Sequence, residues 1–236
     1  MATVLKAIYK QIMLLRDFIN TKFFFNARNY QNVIRTFHLI FFNTKVVEKN
    51  TFWMGRQTLQ TPFDAWIFQE LIHEVKPDVI VETGTHKGGC SLFFASMCDL
   101  IGKGKIISID WKRYGELPKH KRITYLTGSA ISPEIMKKVE SMIKPGQTVM
   151  VFLDDDHTTK HVMQELRTYG KFVTKGSYMV CEDTNLRHPI RPEFPDPGPM
   201  DAVLKFANET KDFKIDKSRE KFLLTSNKNG FLKKVR

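Results

Sequence analysis

The sequence predicts an α/β protein with a mostly parallel sheet, an antiparallel C-terminal strand and a helical N-terminal extension. From about residue 63, short apolar runs alternate with helical patterns of about 10–15 residues, which is typical of βαβ units. The apolar runs do not alternate with polar residues, as expected of strands that are covered on both faces. With 236 residues, 42% of them hydrophobic, the chain is long enough for one domain with a substantial core.

The first 46 residues differ from the rest in charge. They contain seven basic residues against the single acid Asp17, a net +6, which is half of the chain's formal charge of +12. Apolar and aromatic residues recur there at helical spacing, which predicts helices over about 3–20 and 28–42. One interpretation is a basic amphipathic arm that lies on an anionic membrane or on nucleic acid. The other, which the many Phe residues favour, is a helical extension packed on the core or on a second subunit.

The remaining elements are predicted in a regular order. A helix at 62–75 has Asp64 near its start and Pro77 beyond its end. Strands are predicted at 78–84, 104–110, 122–128, 147–154 and 176–183, and helices at 88–102, 132–143, 158–171 and 198–209. The segment 184–200 contains five of the ten prolines and predicts a lid or binding loop. The segment 212–234 alternates and turns twice, near Lys217 and at Asn229, which predicts antiparallel strands.

The ends of the first three predicted strands indicate a nucleoside site, because ligands of such sheets bind beyond the carboxyl ends of the strands. A glycine turn precedes a helix whose free N–H groups face it, and an acid ends the second strand, where it can bind ribose hydroxyls. A small loop after the third strand is suited to flank an adenine. The dinucleotide fingerprint GxGxxG is absent. The candidate cofactor-binding residues are Glu82, Gly84, Thr85, Gly88, Gly89, Ser91, Asp110, Gly128 and Ser129.

Acidic residues end the next two strands. Asp154 ends the fourth strand, and Glu182 and Asp183 end the fifth, so the three carboxylates should converge at one edge of the sheet. Carboxylates in that number suit Mg²⁺, Mn²⁺ or Ca²⁺. Asp154–Asp156 are three consecutive carboxylates, which repel one another unless a cation neutralises Asp154 and one of the others caps the next helix. Capping and solvation alone remain the alternative. His157 is a candidate general base or metal ligand, with a purely structural role as its alternative.

Several motifs in order resemble one known family. They are PFDAWIFQE at 62–70, KPDVIVETGTHKGG at 76–89, LDDDHTTKHV at 153–162, GSYMVCEDT at 176–184, His188-Pro189, GPMDAV at 198–203 and the closing NGFLKK. With them, residues from about 50 to 236 resemble the cephalosporin hydroxylase / rhamnosyl O-methyltransferase family, in which a Ser usually stands at the position of Asp155. The expected domains are therefore an extension at 1–50 and a methyltransferase domain at 51–236.

The resemblance implies a class I methyltransferase fold, S-adenosylmethionine as cofactor, and a divalent metal, Mg²⁺ foremost, held at Asp154, Glu182 and Asp183. The layout is similar to that of catechol O-methyltransferases, which place a basic residue three positions after the metal-binding Asp, where this chain has His157. The expected activity is O-methylation of a sugar or glycosylated natural product, with Asp154 and His157 as catalytic residues. An iron site with two histidines and one carboxylate, or a flavin site, is not recognisable, so oxidation is not carried over.

Basic residues near the crevice and in the proline-rich loop are candidates for binding an anionic acceptor, with solvated loop charges as the alternative. They are Lys87, Arg187, His188 and Arg191. Two other function classes fit less well. A nucleic-acid methyltransferase that modifies amino groups would not need a carboxylate-held metal, and its NPPY-type tetrapeptide is absent. A non-catalytic nucleoside-binding subunit would not need the three carboxylates. The expected partners are a small-molecule or glycan acceptor, a second copy bound through the N-terminal helices, and a peripheral membrane surface.

The cysteines and the apolar runs bear on location. Cys90, Cys98 and Cys181 show no CxxC spacing and lie in or beside apolar runs, which is typical of reduced core residues. No apolar run reaches the roughly 18 residues of a membrane span. Basic residues interrupt the apolar N-terminus and no small-residue cleavage site follows, which argues against a signal peptide. The expected location is the cytoplasm, including the inner face of the membrane.

Overall fold

The fold is described by a computed structural model over residues 2–24, 27–193 and 196–236. Its helices are α1 (Ala2–Phe24), α2 (Ala27–Asn43), α3 (Val46–Asn50), α4 (Pro62–Val75), α5 (Gly89–Leu100), α6 (Pro133–Met142), α7 (Thr159–Tyr169) and α8 (Pro199–Glu209). Its strands are β1 (Phe52–Trp53), β2 (Arg56–Gln57), β3 (Val79–Thr83), β4 (Lys105–Asp110), β5 (Ile123–Thr127), β6 (Val149–Leu153), β7 (Tyr178–Cys181), β8 (Phe213–Ile215) and β9 (Phe231–Lys234).

One sheet of seven strands organises the domain, in the order β5-β4-β3-β6-β7-β9-β8. The strands from β5 to β7 are parallel, and β9 is antiparallel to both β7 and β8. Because β3 pairs with β4 on one side and β6 on the other, the chain reverses direction across the sheet at the carboxyl end of β3. Ligands of such sheets bind at that switch point. The predicted mostly parallel sheet with an antiparallel end is confirmed.

Both faces of the sheet are covered, which explains the apolar strand sequences. Val81 and Val151 lie in a buried cluster that includes residues of α6, α7 and α8. Ile80 and Phe152, their neighbours in the strands, lie in a second cluster that includes residues of α4 and α5. Successive strand residues point to opposite faces, so each strand contributes to both layers.

Helix α4 occupies the predicted range of 62–75, and its boundaries have local causes. Pro62 starts the helix, where a missing N–H costs nothing, and the Thr61 hydroxyl accepts a hydrogen bond from the backbone N–H of Asp64 at 3.1 Å. Lys76 ends it in the left-handed conformation, with φ of +48°. Sequence reasoning placed Asp64 at the helix start but not its burial.

The C-terminal segment differs from the prediction. Strands β8 and β9 form, but the middle strand predicted between the two turns is wrong. Lys217–Glu220 is a 3₁₀ turn, and the residues after it form a loop. The buried carboxylate of Asp64 holds this loop, since it accepts a hydrogen bond from the backbone N–H of Ser226 at 2.9 Å and another from the Thr225 hydroxyl. A backbone group bound to Asp64 is lost to strand pairing. The loop after β7 contains a single π-helical turn, Leu186–Ile190.

The N-terminal helices are slightly longer than predicted, and only one of them packs closely. His38 of α2 is buried, with its Nδ1 atom 3.3 Å from the Asn185 amide nitrogen. On α1, by contrast, Ile8, Ile12 and Ile19 are each more than half exposed in the single chain. These side chains do not pack on the core, and packing of α1 on a second subunit stays a prediction. Within the described residues, no helix is both long and apolar enough to span a membrane.

Candidate active site

The glycine turn after β3 brings two strand ends into contact. Gly84 has φ of +92°, and a Cβ atom there would lie 1.9 Å from the backbone oxygen of Asp154. Any other residue would therefore push β3 and β6 apart at the crevice. Gly88, with φ of +77°, immediately precedes helix α5. A Cβ atom at Gly89 would lie 2.1 Å from the Gln57 backbone oxygen, so the first turn of the helix lies directly against β2.

Behind this turn lies a buried polar network around Glu82. The Ser91 hydroxyl donates to the Glu82 carboxylate, and the Ser108 hydroxyl donates to the same oxygen, Oε2, at 2.5 Å. The Thr85 hydroxyl lies 2.6 Å from that of Ser108. Burial raises the pKa of Glu82 to about 7, although the two hydroxyls lower it. Thr85 and Ser91, which the sequence made cofactor ligands, therefore hold Glu82 in place in this structure.

Asp110 stands where a ribose acid was predicted. It is 7% exposed at the end of β4, and its carboxylate accepts a hydrogen bond from the backbone N–H of His86 in the glycine turn at 2.7 Å. The N–H of Gly128 donates to the backbone oxygen of Asp110 at 2.8 Å, which brings the loop after β5 alongside. Ser129 in that loop is exposed. The predicted nucleoside residues are thus gathered at the carboxyl ends of three neighbouring strands.

The acidic residues of the next two strand ends also converge. Asp154, His157 and Asp183 each place one ligand atom within 4.8 Å of the other two. The Nε2 atom of His157 lies 3.4 Å from a carboxylate oxygen of Asp154 and 3.4 Å from one of Asp183. Asp183 has φ of +53°, an uncommon backbone conformation for a residue with a side chain and one that is often found at functional sites. We name Asp154, His157 and Asp183 the acidic cluster.

Proton binding is strongly perturbed in this cluster. Burial raises the pKa of Asp154 to about 6, with Asp183 adding to the rise and His157 opposing it. Burial lowers the pKa of His157, but the hydrogen bond to Asp154 and the charge of Asp183 outweigh it and raise the pKa to about 9. His157 is thus protonated at neutral pH, and its charge lies between two carboxylates that would otherwise repel each other.

Glu182, the third predicted metal ligand, lies deeper. It is 4% exposed, and its carboxylate accepts a hydrogen bond from the Gln60 amide. Burial, followed by the charges of Asp154 and Asp183, raises its pKa well above the usual value. Its carboxylate interacts electrostatically with both aspartates but does not belong to the group of ligand atoms formed by the acidic cluster.

The three consecutive aspartates have three different surroundings. Asp156 accepts a hydrogen bond from the backbone N–H of Thr158 at 2.7 Å. Thr158 precedes the first residue of α7, so Asp156 closes the turn before the helix and does not cap it as predicted. Asp155 lies instead 3.4 Å from Nε2 of His161, in a second group with the buried Glu165. The N–H of Thr159, the first residue of α7, is bound by Asp196 of the proline-rich loop at 2.7 Å.

The predicted acceptor-binding residues are distributed unevenly. Arg191 lines a cavity of about 240 Å³ together with Asp183 and His157. Arg187 is half-buried in the π-helical turn, and the side chain of His188 lies outside the described part of the chain. Lys87 is exposed and donates a hydrogen bond to the side-chain oxygen of Gln57 at 2.5 Å, beside the glycine turn. Only Arg191 of these four therefore lines this cavity, as far as the described residues show.

Known proteins share this arrangement of elements. The rhamnosyl O-methyltransferase of Mycobacterium tuberculosis (strain ATCC 25618 / H37Rv) is 32% identical over 209 residues, which cover 85% of this chain and 84% of that protein. The protein of the same name from Mycobacterium leprae (strain TN) is 34% identical over 194 residues, 79% of this chain and 84% of that protein. The pattern of the family described as Rhamnosyl O-methyltransferase/CmcI matches residues 45–235. The chain belongs to this family.

Solved CmcI structures share the fold. A CmcI structure with Mg and SAM superposes with a TM-score of 0.60 at 18% identity, over 79% of this chain and 77% of that one. An apo structure of CmcI gives the same TM-score over 79% and 76%. The predictions of a class I methyltransferase fold and of an O-methyltransferase are confirmed. Mg²⁺ and S-adenosylmethionine, the cofactors predicted for this chain, are present together in the first of these CmcI structures.

Sequence reasoning missed the residues that support the site from behind. Ser108 binds Glu82, Gln60 binds Glu182, and Asp64 holds the loop after the 3₁₀ turn. Ser108 carried a signal, since it is the polar residue within the apolar run of β4. Asp64 belongs to a family motif, but Thr225 and Ser226, its partners in that loop, lie more than 160 positions away in the sequence, so spacing gave no indication of them.

Proposed function

We propose that this protein transfers a methyl group from S-adenosylmethionine to a hydroxyl of a sugar or a glycosylated natural product, with the help of a divalent cation. One observation carries the proposal. Asp154 of the acidic cluster lies at the strand end that touches the glycine turn through Gly84, and the other two members, His157 and Asp183, line a cavity large enough for part of an acceptor. Cofactor, cation and acceptor would therefore meet at one point, as a displacement at a methyl carbon requires.

The side chains at this site suit both a divalent cation and S-adenosylmethionine. Asp154 and Asp183 offer carboxylate oxygens within a distance that one cation can bridge, which leaves the ring nitrogen of His157 to accept a proton. Burial, followed by the charges of Asp154 and Asp183, raises the pKa of nearby Glu182, and a cation would relieve the part that is due to charge. Asp110, beside the glycine turn, would bind the ribose hydroxyls of the cofactor. When bound, S-adenosylmethionine supplies the methyl group and the cation lowers the pKa of the acceptor hydroxyl.

The chain's own residues would then handle the proton. Nε2 of His157 is the nitrogen closest to Asp154 and Asp183, so a hydroxyl held at those carboxylates lies within its reach. His157 must be neutral to accept a proton, and its raised pKa depends on the charges of both aspartates. Neutralising those charges lowers the pKa of His157 toward the range of a general base.

A calorimetric titration tests the proposal directly. Purified protein is titrated with S-adenosylmethionine in Mg²⁺ and again in a chelator, and methyl transfer is then measured on a panel of glycosides with vicinal hydroxyls, rhamnosides included. Micromolar binding together with Mg²⁺-dependent methylation is expected. No cofactor binding in either condition would refute the proposal. Transfer that is unaffected by the chelator would refute the role of the cation.

A second copy of the chain is the partner that α1 supports best. The exposed apolar side chains of α1, Ile8, Ile12 and Leu15 among them, are too many for a helix that stays in water. Basic residues on the same helix, Lys6 and Lys10, suit an anionic membrane as well. Sedimentation of the full chain, with and without anionic vesicles, distinguishes the two. A dimer without vesicles supports self-association, and a monomer that floats with vesicles supports the membrane.

A further inference from the structure

The cavity beside the acidic cluster has two walls of different origin. One wall is the turn after β7, which contributes Leu186, Ile190 and Arg191. The other is helix α2, which contributes Phe41 and Phe42. Asp183 and His157 line the same cavity, so an occupant of this space is in reach of the groups assigned above to the cation and the proton.

Helix α2 is held in this position by contacts to the π-helical turn after β7 on one side and to helix α4 on the other. His38 is buried against Asn185, which directly precedes the π-helical turn, at 3.3 Å. The guanidinium carbon of Arg191 lies 5.1 Å from the centre of the Phe42 ring, a cation–π distance. On the other side, the rings of Phe37 and Phe63, at the start of α4, lie 6.0 Å apart edge to face. The two aromatic residues of the cavity therefore belong to a docked helix.

Helix α2 also lies outside the part of the chain that defines the family. The family pattern begins at residue 45, whereas α2 ends at Asn43. The glycine turn, Asp110 and the acidic cluster all lie within the matched range. The residues assigned to cofactor and cation therefore lie within the range that the family pattern matches, and Phe41 and Phe42 lie outside that range.

We propose that α2 is an acceptor-binding element and that Phe41 and Phe42 contact the apolar face of the acceptor's reacting ring. This rests on the function proposed above. Aromatic side chains stack on aromatic rings through their faces. They pack in the same way against the C–H face of a sugar ring, which is apolar although the ring is not flat. The acceptor class is thus a ring with one apolar face and vicinal hydroxyls at its edge, oriented with the hydroxyls toward Asp183 and His157.

The same helix provides a matched control. Ile34 lies about two turns before Phe41 and lines a different cavity, of about 560 Å³, on the other side of His38. A substitution of Ile34 by Ala removes an apolar side chain from α2 as a Phe41 substitution does, but at a distance from the acidic cluster. If substitution of Phe41 or Phe42 weakens binding of the ring ligand and substitution of Ile34 does not, the loss comes from missing contacts to the ligand and not from a general loosening of the helix.

The experiment uses the full chain with Mg²⁺, S-adenosylhomocysteine and nitrocatechol, a ring whose vicinal hydroxyls chelate a divalent cation and whose visible absorption changes on ionisation. Phe41→Ala and Phe42→Ala should each weaken nitrocatechol binding about tenfold. S-adenosylhomocysteine affinity, measured by calorimetry, should not change, and Ile34→Ala should bind nitrocatechol as the unaltered protein does. Phe42→Leu keeps an apolar side chain on the helix and should also weaken binding, because the ring face is gone.

Three results would overturn the inference while leaving the proposed function intact. They are equal nitrocatechol affinity in the Phe variants, an equal loss in Ile34→Ala, and no nitrocatechol binding by a protein that binds S-adenosylhomocysteine. Absence of S-adenosylhomocysteine binding in the unaltered protein would instead refute the proposed function, and the acceptor inference would fall with it. Circular dichroism of each variant checks that helical content is retained, and Phe42→Leu provides the test if an Ala variant loses it.

Discussion

At the scale of single residues, Asp154 and Asp156 belong to one run of three aspartates but have different surroundings, so substituting each of them tests which one catalysis needs. Asp154→Asn removes a charge from the acidic cluster, and methyl transfer should fall by more than about 100-fold. Losing a residue that only hydrogen-bonds to a metal ligand costs at most about that much, so a larger loss indicates a direct ligand. S-adenosylmethionine affinity should stay within a few-fold. Asp156→Asn is the matched control and should retain activity, since the described hydrogen bonds of Asp156 go only to Thr158. Equal losses in both variants would argue against a cation at Asp154.

His157 is the residue whose role depends most on pH. The two carboxylates raise its pKa to about 9, and a cation bound at those carboxylates would lower it again. A general base must be neutral, so kcat measured with Mg²⁺ should rise with pH and level off below about pH 9. His157→Gln should lower kcat by about 100-fold or more and flatten that rise. S-adenosylmethionine affinity should not change. His73→Gln, on the exposed side of α4, is the control in the same pH series. A His157→Gln enzyme that keeps the rise with pH would assign the base elsewhere.

At the scale of secondary structure elements, Asp196 connects the proline-rich loop to two helices. Its carboxylate accepts hydrogen bonds from the N–H of Thr159 at 2.7 Å and from the N–H of Gly198 at 2.8 Å, at the starts of α7 and α8. Asp196→Ala should lower the unfolding free energy by about 1–2 kcal/mol, the usual cost of losing a helix cap. Thermal unfolding of variant and unaltered protein measures it.

The stability difference between Asp196→Ala and the unaltered protein should depend on pH, because the pKa of Asp196 is lowered in the folded protein. Burial is the largest single influence and raises the pKa of Asp196, but the hydrogen bonds from Thr159 and Gly198 together outweigh it and leave the pKa below the usual value. The carboxylate therefore stabilises the folded protein above its unfolded pKa, near 4, and this contribution is lost as pH falls through the lower folded value. The two proteins should converge in stability in strong acid. A difference that persists there would mean that Asp196 acts through packing.

The elements also show what the sequence could and could not predict. Apolar runs and proline and glycine positions located every strand from β3 to β7 and the helices between them, because those signals are local. The middle strand at the C-terminus was wrong because a buried side chain, Asp64, binds the backbone of Ser226. The convergence of Asp154 and Asp183 could be predicted because parallel strands end side by side, but the deeper position of Glu182, also predicted as a ligand, could not. The position of α2 over the cavity could not, since it depends on His38 meeting Asn185 across the fold.

At the scale of the whole molecule, buried acids make the folded state a strong binder of protons. Burial raises the pKa of Glu165 to about 8 and that of Glu82 to about 7. An acid with a raised folded pKa favours the folded state below its unfolded value, near 4.3, and this preference is lost as pH rises through the folded pKa. Without cofactor or cation, stability should therefore decrease from about pH 5 to pH 9, where many proteins vary little.

Glu165→Gln isolates one part of this trend. Glutamine resembles the protonated acid in shape but cannot ionise, so the variant should match the unaltered protein near pH 5 and exceed it in unfolding temperature at pH 9. Each pKa unit corresponds to about 1.4 kcal/mol, so the divergence is measurable by calorimetry in matched buffers. Glu140→Gln, at an exposed site on α6, should stay parallel to the unaltered protein at every pH. If the Glu165 variant also stays parallel, Glu165 is ionised in the folded state, and its charge must then be balanced by His161, whose Nε2 atom lies 3.9 Å away.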